Sequence, residues 1–396
     1  MENTWISPDT IIGDAATGHR YIRRPYINDE FWRQIEKGNH ILLVAPRRVG
    51  KTSIMKDLAQ SPMEGYVAIY KNIEAERTAN GLYKRVFEMI IECFSRQTRF
   101  KKQIAVWLKR YKISSIGEGG IAIDEKEINY RLELNNLLND LENQPVKILL
   151  LIDEIPEVLN NMRKQGRAEE AIETLHNFRE FNLNEQYKKI SIVYAGSIGL
   201  SHIVQALDAR PAIINHLNLI PIDALTAKEA DQLITQITDG ATIQYDANDR
   251  AYLYQKIQYL LPFFVQLMVE EIDRIARRVN KTKISQSIVD EAFENIIEEQ
   301  FHFDDWHRRL KEYFSKEEFE FLKTLLSYCA HKGAISIQQV YDMALQTGID
   351  EDDYSNSIEI LKRDGYLKEV SNLTYDFTSP FLKGYWLKKY PLYHVR

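Results

Sequence analysis

The chain has 396 residues, of which 44% are hydrophobic and 27% are charged, and its formal net charge at pH 7 is −6. This length suits two or three domains, and the net negative charge argues against a protein that coats nucleic acid or membranes. Cys93 and Cys329 lie in no metal-binding or redox spacing, no apolar run is long enough to span a membrane, and the first ten residues lack the pattern of a signal peptide. We therefore expect a cytoplasmic globular protein without a membrane segment.

The first predicted strand is the apolar run from His40 to Ala45, and it leads into a phosphate-loop motif. A short continuous apolar run is typical of a strand buried on both faces of a parallel sheet. Residues 51–59 then predict the start of a helix, and the motif that spans the junction of strand and helix is "APRRVGKTS", residues 45–53, with alanine where the usual motif has glycine. The candidate nucleotide-binding residues are Ala45, Pro46, Arg47, Arg48, Val49, Gly50, Lys51, Thr52 and Ser53.

Each part of this motif has a chemical task if it binds a nucleotide. The backbone N–H groups of the loop and the positive end of the helix would hold an anion. Lys51 would reach the β- and γ-phosphates of ATP, and the Thr52 hydroxyl would be a ligand of Mg²⁺. Gly50 allows close backbone approach, whereas Ala45 begins the turn, where a methyl group fits. The alternative is a basic helix start that binds no ligand.

A second strand is predicted from Tyr66 to Ile73, and a third from Val146 to Ile152 ends on two acids. An acid at the tip of a neighbouring strand can hold Mg²⁺ through water, and the next acid can polarise the attacking water as a general base. Asp153 is therefore the candidate metal residue and Glu154 the candidate base. The alternative is that the two acids merely solvate the end of the strand.

A fourth strand is predicted from Lys189 to Ala195, followed by Ser197. Ser197 could contact the γ-phosphate or the attacking water, or it could be only a turn residue or helix cap. Residues 87–141 form an insertion for which a helix and a short hairpin are predicted. Four strands separated by helical segments predict an α/β fold with a doubly wound parallel sheet.

The segments "YIRRPYINDEFWRQIEKGNHILLVAPRRVGKTSIM", "LLLIDEIPEVL" and "SIVYAGSIGL" resemble the archaeal-type ATPases of the AAA+/STAND grouping of P-loop NTPases. The resemblance continues through "LIPIDALTAKEADQLI", where that family begins a helical lid, and "FHFDDWHRRL", which there precedes a winged helix. It implies ATP and Mg²⁺ as cofactors and ADP as product. It also implies a P-loop core over residues 1–222, a helical lid over 223–312 and a winged helix over 313–396.

The same resemblance implies two residues near the nucleotide base. Pro262 matches the lid proline that packs on adenine in STAND proteins, although Leu260 stands where a glycine is usual. The alternative for Pro262 is a proline that simply begins a helix. Tyr26 lies near the position where this family places a residue against the base, and the alternative is a core tyrosine.

The resemblance further implies arginines that act on phosphate. Arg210 is a candidate arginine finger, acting across a subunit boundary in a homo-oligomer, and the alternative is an ordinary surface arginine. Arg47 and Arg48 could clamp phosphate or form a salt bridge with a neighbouring subunit.

The C-terminal segment predicts three helices followed by a two-stranded wing, the architecture of many DNA readers. Its first helix begins with a capping box of Ser315 and Glu318. Residues 311–396, however, contain 11 lysine and arginine residues against 13 aspartate and glutamate residues. The acids that begin the expected recognition helix would repel DNA, and they are Glu351, Asp352 and Asp353. DNA stays a possible partner, but these charges favour a protein contact or self-docking.

Two functions follow from these patterns. The first is an ATP-hydrolysing mechanoenzyme or regulator that couples nucleotide state to assembly or to engagement of a partner such as DNA. The second is a slow nucleotide-gated switch or scaffold for a protein partner, as in prokaryotic defence or mobile-element systems. The intact acid pair favours hydrolysis, whereas Leu260 and the acidic winged helix favour a switch.

Overall fold

The computed structural model describes residues 5–95, 113–117, 120–123, 128–141, 146–196 and 199–393. Contacts between residues divide the chain into two compact units. The sheet unit consists of residues 23–44 and 51–222, and the helical unit consists of residues 1–22, 45–50 and 223–396.

The sheet unit contains a five-stranded parallel sheet in the order β2-β5-β6-β1-β7. Its strands are β1 (Ile41–Val44), β2 (Tyr66–Asn72), β5 (Lys147–Asp153), β6 (Ile190–Tyr194) and β7 (Asn218–Pro221). All four predicted strands are confirmed, and β7 is a fifth strand that the sequence analysis does not predict. A separate antiparallel hairpin, β3 (Ile113–Gly117) and β4 (Gly120–Ile123), confirms the hairpin predicted in the insertion.

One helix, α1 (Pro25–Glu36), precedes the first strand of this unit, and the other helices lie in the connections between its parallel strands, as parallel pairing requires. The others are α2 (Lys51–Gln60), α3 (Ala79–Ser95), α4 (Tyr130–Leu141), α5 (Ile155–Lys164), α6 (Ala168–Leu183) and α7 (Leu200–Ala206). In α1, proline occupies the first helical position, and Ile27, Phe31 and Ile35 repeat every four residues and are buried. The core of the unit lies along the sheet, where Leu149, Leu150, Leu151 and Ile152 of β5 are fully buried.

The helical unit begins its C-terminal part with five helices: α8 (Ala227–Ile237), α9 (Ala247–Ile257), α10 (Pro262–Arg278), α11 (Gln286–Glu298) and α12 (Phe301–Tyr313). A capping box of Thr226 and Glu229 stands at the start of α8. An aromatic cluster joins α10 and α12, since the rings of Phe264 and Trp306 stack with centroids 6.2 Å apart. None of the helices in the described residues is long and apolar enough to cross a membrane.

The last part of the helical unit alternates helices with a small antiparallel sheet of order β8-β10-β9. Its elements are α13 (Lys316–Lys332), β8 (Ile335–Ser336), α14 (Ile337–Thr347), α15 (Glu351–Arg363), β9 (Leu367–Ser371), β10 (Thr374–Phe377) and α16 (Pro380–Lys389). The Ser315–Glu318 capping box is confirmed. The turn between β9 and β10 is formed by Asn372 and Leu373, and α16 is not among the predicted elements.

The N-terminal segment, residues 5–22, belongs to the helical unit. The Asp9 backbone N–H donates to the Ile237 carbonyl at 2.7 Å, and the Trp5 indole N–H donates to the Asp273 carboxylate at 2.8 Å. Hydrogen bonds of this kind hold the segment against the helices. Residues 5–22 therefore group with the helical unit, whereas the expected core domain of residues 1–222 includes them.

Candidate nucleotide-binding site

The loop between β1 and α2 comprises residues 45–50 and contains two residues of left-handed backbone. Arg48 has a φ of 62° and Gly50 a φ of 99°. A side chain would strain the backbone at Gly50, whereas no heavy atom of the described residues lies within 4 Å of where its Cβ would stand. The glycine is therefore needed for its conformation, and the space beside it is open.

The motif residues at the start of α2 meet the acid at the end of β5. The Thr52 hydroxyl donates to Asp153 Oδ2 at 2.7 Å, and Asp153 is only 2% exposed. Lys51 and Ser53 are buried as well. The fold therefore brings together two predicted metal residues that are 101 positions apart in the chain.

The sequence predicts the acid pair on a strand next to the loop strand, and this prediction is wrong in detail. Strand β6 lies between β1 and β5 in the sheet. Sequence order does not fix strand order in a parallel sheet, because each crossover can pass over an intervening strand.

The Asp153 carboxylate is held by two further donors. The Glu154 backbone N–H donates to Oδ1 at 3.1 Å, and the Tyr70 hydroxyl donates to Oδ2 at 3.2 Å. Burial raises the pKa of Tyr70, and the neighbouring charge of Asp153 raises it further. The phenol therefore stays protonated and acts as a donor. Tyr70 is absent from the predicted site residues.

Glu154 occupies a strained backbone position directly before α5. Its φ of 66° and ψ of 31° lie in the left-handed region, which glutamate seldom adopts. Such a conformation costs of order 1–3 kcal/mol and is found preferentially at functional sites. The strain sets Glu154 apart from an acid that merely terminates a strand.

The two loop arginines contact the helices of their own unit. Arg47 forms an ion pair with Asp305 of α12, and its guanidinium lies 5.8 Å from the ring centroid of Trp306. Arg48 lies over the ring of Phe263 at 4.6 Å, and burial lowers its pKa, as does the nearby charge of Arg47. Beside them, a Cβ on Gly365 would stand 2.8 Å from the Pro46 side chain, so glycine permits this close packing.

These donors and acceptors suit a magnesium nucleotide. The Thr52 hydroxyl donates its hydrogen bond to Asp153, which leaves the oxygen lone pairs of the hydroxyl for a cation. In the described part of the chain, Arg47 Nη1 and Arg48 Nε are buried without a hydrogen-bond partner. Buried unpaired N–H groups are costly, and phosphate oxygens would satisfy them. The residues therefore fit the ligand that the motif predicts.

The structure also locates the remaining predicted residues. Tyr26 is 57% exposed, so the alternative of a core tyrosine is wrong, and its hydroxyl accepts from Arg24 Nη2 at 2.7 Å. Arg210 is exposed and precedes the short 3₁₀ helix Pro211–Ile213. Ser197 lies outside the described residues.

At the start of α10, Pro262 occupies the first helical position. This position fits the alternative of a helix-start proline, and it does not conflict with a contact to the base. The carbonyl of Leu260 accepts from the Leu225 backbone N–H at 2.9 Å, and this hydrogen bond joins the segment before α10 to the segment before α8.

Comparison with known proteins agrees with these features. Residues 30–239, more than half of the chain, match the model of a family described as an ATPase domain predominantly from Archaea. No curated protein matches the chain in sequence.

Two solved structures share the fold. A Walker-type ATPase of Pyrococcus abyssi aligns with a TM-score of 0.59 and 15% identity over 92% of this chain and 96% of that chain. The Aeropyrum pernix ORC2 protein, solved as ADPNP-ADP complexes, aligns with a TM-score of 0.50 and 13% identity over 99% of this chain and 98% of that chain. The family match and the phosphate-loop geometry lead to one conclusion: the chain belongs to the family described as an ATPase domain predominantly from Archaea.

Proposed function

We propose that this chain binds ATP with Mg²⁺ and hydrolyses it. The observation that carries the proposal is the hydrogen bond between Thr52, at the start of α2, and Asp153, at the end of β5. In P-loop ATPases a hydroxyl and an acid in these roles hold the metal ion. Thr52 and Asp153 would hold Mg²⁺, which when bound neutralises charge on the β- and γ-phosphates.

The other site residues take roles that their chemistry supports. Lys51 would hold the β- and γ-phosphates as a point charge, with the backbone N–H groups of residues 45–50 beside it. Glu154 would accept the proton of the attacking water. Ser197 would contact the γ-phosphate or that water, and the exposed Arg210 would act on a neighbouring subunit as an arginine finger. Tyr26 and Pro262 would lie against the base.

We also propose the domain assignment of a P-loop core over 1–222, a helical lid over 223–312 and a winged helix over 313–396. The order helix, strand, helix, helix, strand, strand from α13 to β10 supports the winged-helix interpretation. Within the assigned core, the N-terminal segment of residues 5–22 hydrogen-bonds to the helices of the lid.

The loop arginines provide a means of coupling nucleotide state to the helical unit. Arg47 pairs with Asp305 and Arg48 packs on Phe263, so both phosphate-binding candidates are engaged by helices beyond the core. Phosphate oxygens would compete with the Asp305 carboxylate for Arg47. ATP binding would then loosen the loop from α12 and change how the lid and winged helix engage a partner.

A slow nucleotide-gated switch for a protein partner is the second candidate. The start of α15 favours it over DNA reading, because Asp350 caps the helix and Glu351 is exposed beside it. Negative charge at that end repels a phosphate backbone. Whether such a switch serves a defence system or a mobile element would depend on the identity of its protein partner.

The substitution Lys51→Ala tests the proposed site. We expect it to weaken Mg·ATP binding at least tenfold in calorimetry, because the main phosphate-binding charge is lost. Lys37→Ala, at an exposed lysine that follows α1, is the control and should bind as the wild type does. Unchanged binding by Lys51→Ala would contradict the proposal.

Light scattering with ATP, with ADP and with a DNA duplex separates the two candidates. A mass that rises with ATP or DNA, together with faster turnover, supports the mechanoenzyme. Tight ATP binding, negligible turnover and no response to DNA support the switch.

A further inference from the structure

Tyr70 connects the second strand of the sheet to the proposed metal site. Strands β2 and β5 pair in parallel, with Tyr70 opposite Leu151 and Asn72 opposite Asp153. From this position the Tyr70 side chain reaches the end of the neighbouring strand, where its hydroxyl lies 3.2 Å from Asp153 Oδ2. The same oxygen accepts from the Thr52 hydroxyl at 2.7 Å, so Tyr70 and Thr52 share one acceptor.

The direction of this hydrogen bond is fixed by chemistry. Ionised carboxylates only accept, so the phenol must donate. The ring itself is half-buried, and Lys56 Nζ lies 5.9 Å from its centroid, which holds it in a cation–π contact. Tyr70 is therefore a fixed donor to a carboxylate that is 2% exposed.

The donors that orient Asp153 in the described part of the chain include the Glu154 backbone N–H on Oδ1, and the Tyr70 and Thr52 hydroxyls on Oδ2. The donor from Thr52 and the one from Glu154 belong to the motifs themselves. Of these three, the Tyr70 donor comes from a residue outside both motifs. Groups that orient a metal-binding carboxylate typically change metal affinity by 10–100-fold when they are removed.

We infer that Tyr70 is a positioning residue for the proposed Mg²⁺ site, holding the Asp153 carboxylate in the orientation that the ion requires. This inference rests on the proposed function. Tyr70 touches neither nucleotide nor water in this role, and it acts only through Asp153.

The substitution Tyr70→Phe removes the hydroxyl and keeps the ring. Tyr66→Phe is a matched control, because Tyr66 lies on the same strand and the same face, four residues from Tyr70. The primary readout is Mn²⁺ binding to the protein–ADP complex, followed by electron paramagnetic resonance. We expect Tyr70→Phe to weaken Mn²⁺ binding about tenfold and Tyr66→Phe to leave it unchanged.

Two further readouts separate positioning from a structural role. ADP binding in EDTA and the melting temperature should match the wild type, and hydrolysis should recover at saturating Mg²⁺. Unchanged Mn²⁺ binding in Tyr70→Phe, with a wild type that binds Mn²⁺ and ADP, would overturn the inference and leave the proposed function standing. A loss of ADP binding in EDTA as large as the loss of Mn²⁺ binding, or a matching fall in melting temperature, would indicate a structural role and would also overturn the inference. A wild type that binds no Mn²⁺ with ADP would overturn the proposed function as well.

Discussion

Glu154 shows how a single residue connects backbone strain to chemistry. It follows Asp153 directly and is held in a left-handed conformation, with φ at 66°, just before α5. Glycine or asparagine would adopt this conformation at lower cost. Glutamate at this position therefore lowers the stability of the fold, as is expected where a side chain is kept for function.

Comparing Glu154→Gly with Glu154→Ala tests this strain. Both variants remove the carboxylate, but alanine keeps the Cβ that the left-handed region disfavours. We expect the free energy of unfolding of Glu154→Gly to exceed that of Glu154→Ala by about 0.5–1 kcal/mol. Urea denaturation followed by circular dichroism measures the difference. Equal stability, or a more stable alanine variant, would show that residue 154 is not held left-handed.

At this scale the motif residues are predictable from the sequence and their supporting residues are not. Lys51, Thr52, Asp153 and Glu154 stand in patterns with a known chemical reason. Tyr70 carries no such signal, because a tyrosine near a strand end is common. Its contact with Asp153 depends on the pairing of β2 with β5, which only the folded sheet specifies.

Among the elements, the contact between the loop and α12 has the clearest functional consequence. The side chains of Arg47 and Asp305 are 14% and 29% exposed, so their ion pair is largely shielded from water. Asp305 also pairs with Arg308 on its own helix. Arg47 contacts one carboxylate oxygen of Asp305 and Arg308 contacts the other, so the loop arginine and the helix arginine share one carboxylate.

The substitution Asp305→Asn should raise the affinity for ATP. Without the Asp305 charge, Arg47 is released to the phosphates, and we expect about a fivefold gain, which corresponds to roughly 1 kcal/mol. Arg308→Gln is the control, since it removes another partner of Asp305 without touching the loop. Fluorescence titration with a labelled ATP analogue measures both. A lower affinity in Asp305→Asn would contradict competition between Asp305 and phosphate.

The elements themselves divide into those with local signals and those without. Capping boxes at Thr226 and Ser315 mark helix starts in the sequence, and both are confirmed. The edge strand β7 has only four residues, and its middle residue Leu219 is 64% exposed, so it lacks the continuous apolar run of a buried strand. Its place beside β1 comes from pairing across the sheet and not from local pattern.

At the scale of the whole molecule, the fold class and the family follow from the sequence, whereas the course of the N-terminal segment does not. Residues 5–22 are polar and without periodicity, yet they hydrogen-bond to helices more than 200 positions away. Such long-range contacts leave no pattern in the local sequence. The choice of partner likewise depends on how charges are arranged on the folded surface, and the sequence alone does not specify that arrangement.

Mg·ATP hydrolysis by the wild type and by Glu154→Gln, with ATP binding measured on the same samples, decides whether the proposed site works as an ATPase. We expect hydrolysis by the wild type, and in Glu154→Gln a loss of at least a hundredfold with ATP binding retained, since only the proton acceptor is changed. Hydrolysis at the wild-type rate in Glu154→Gln would contradict the assigned base. Absence of ATP binding in the wild type would contradict the site as a whole.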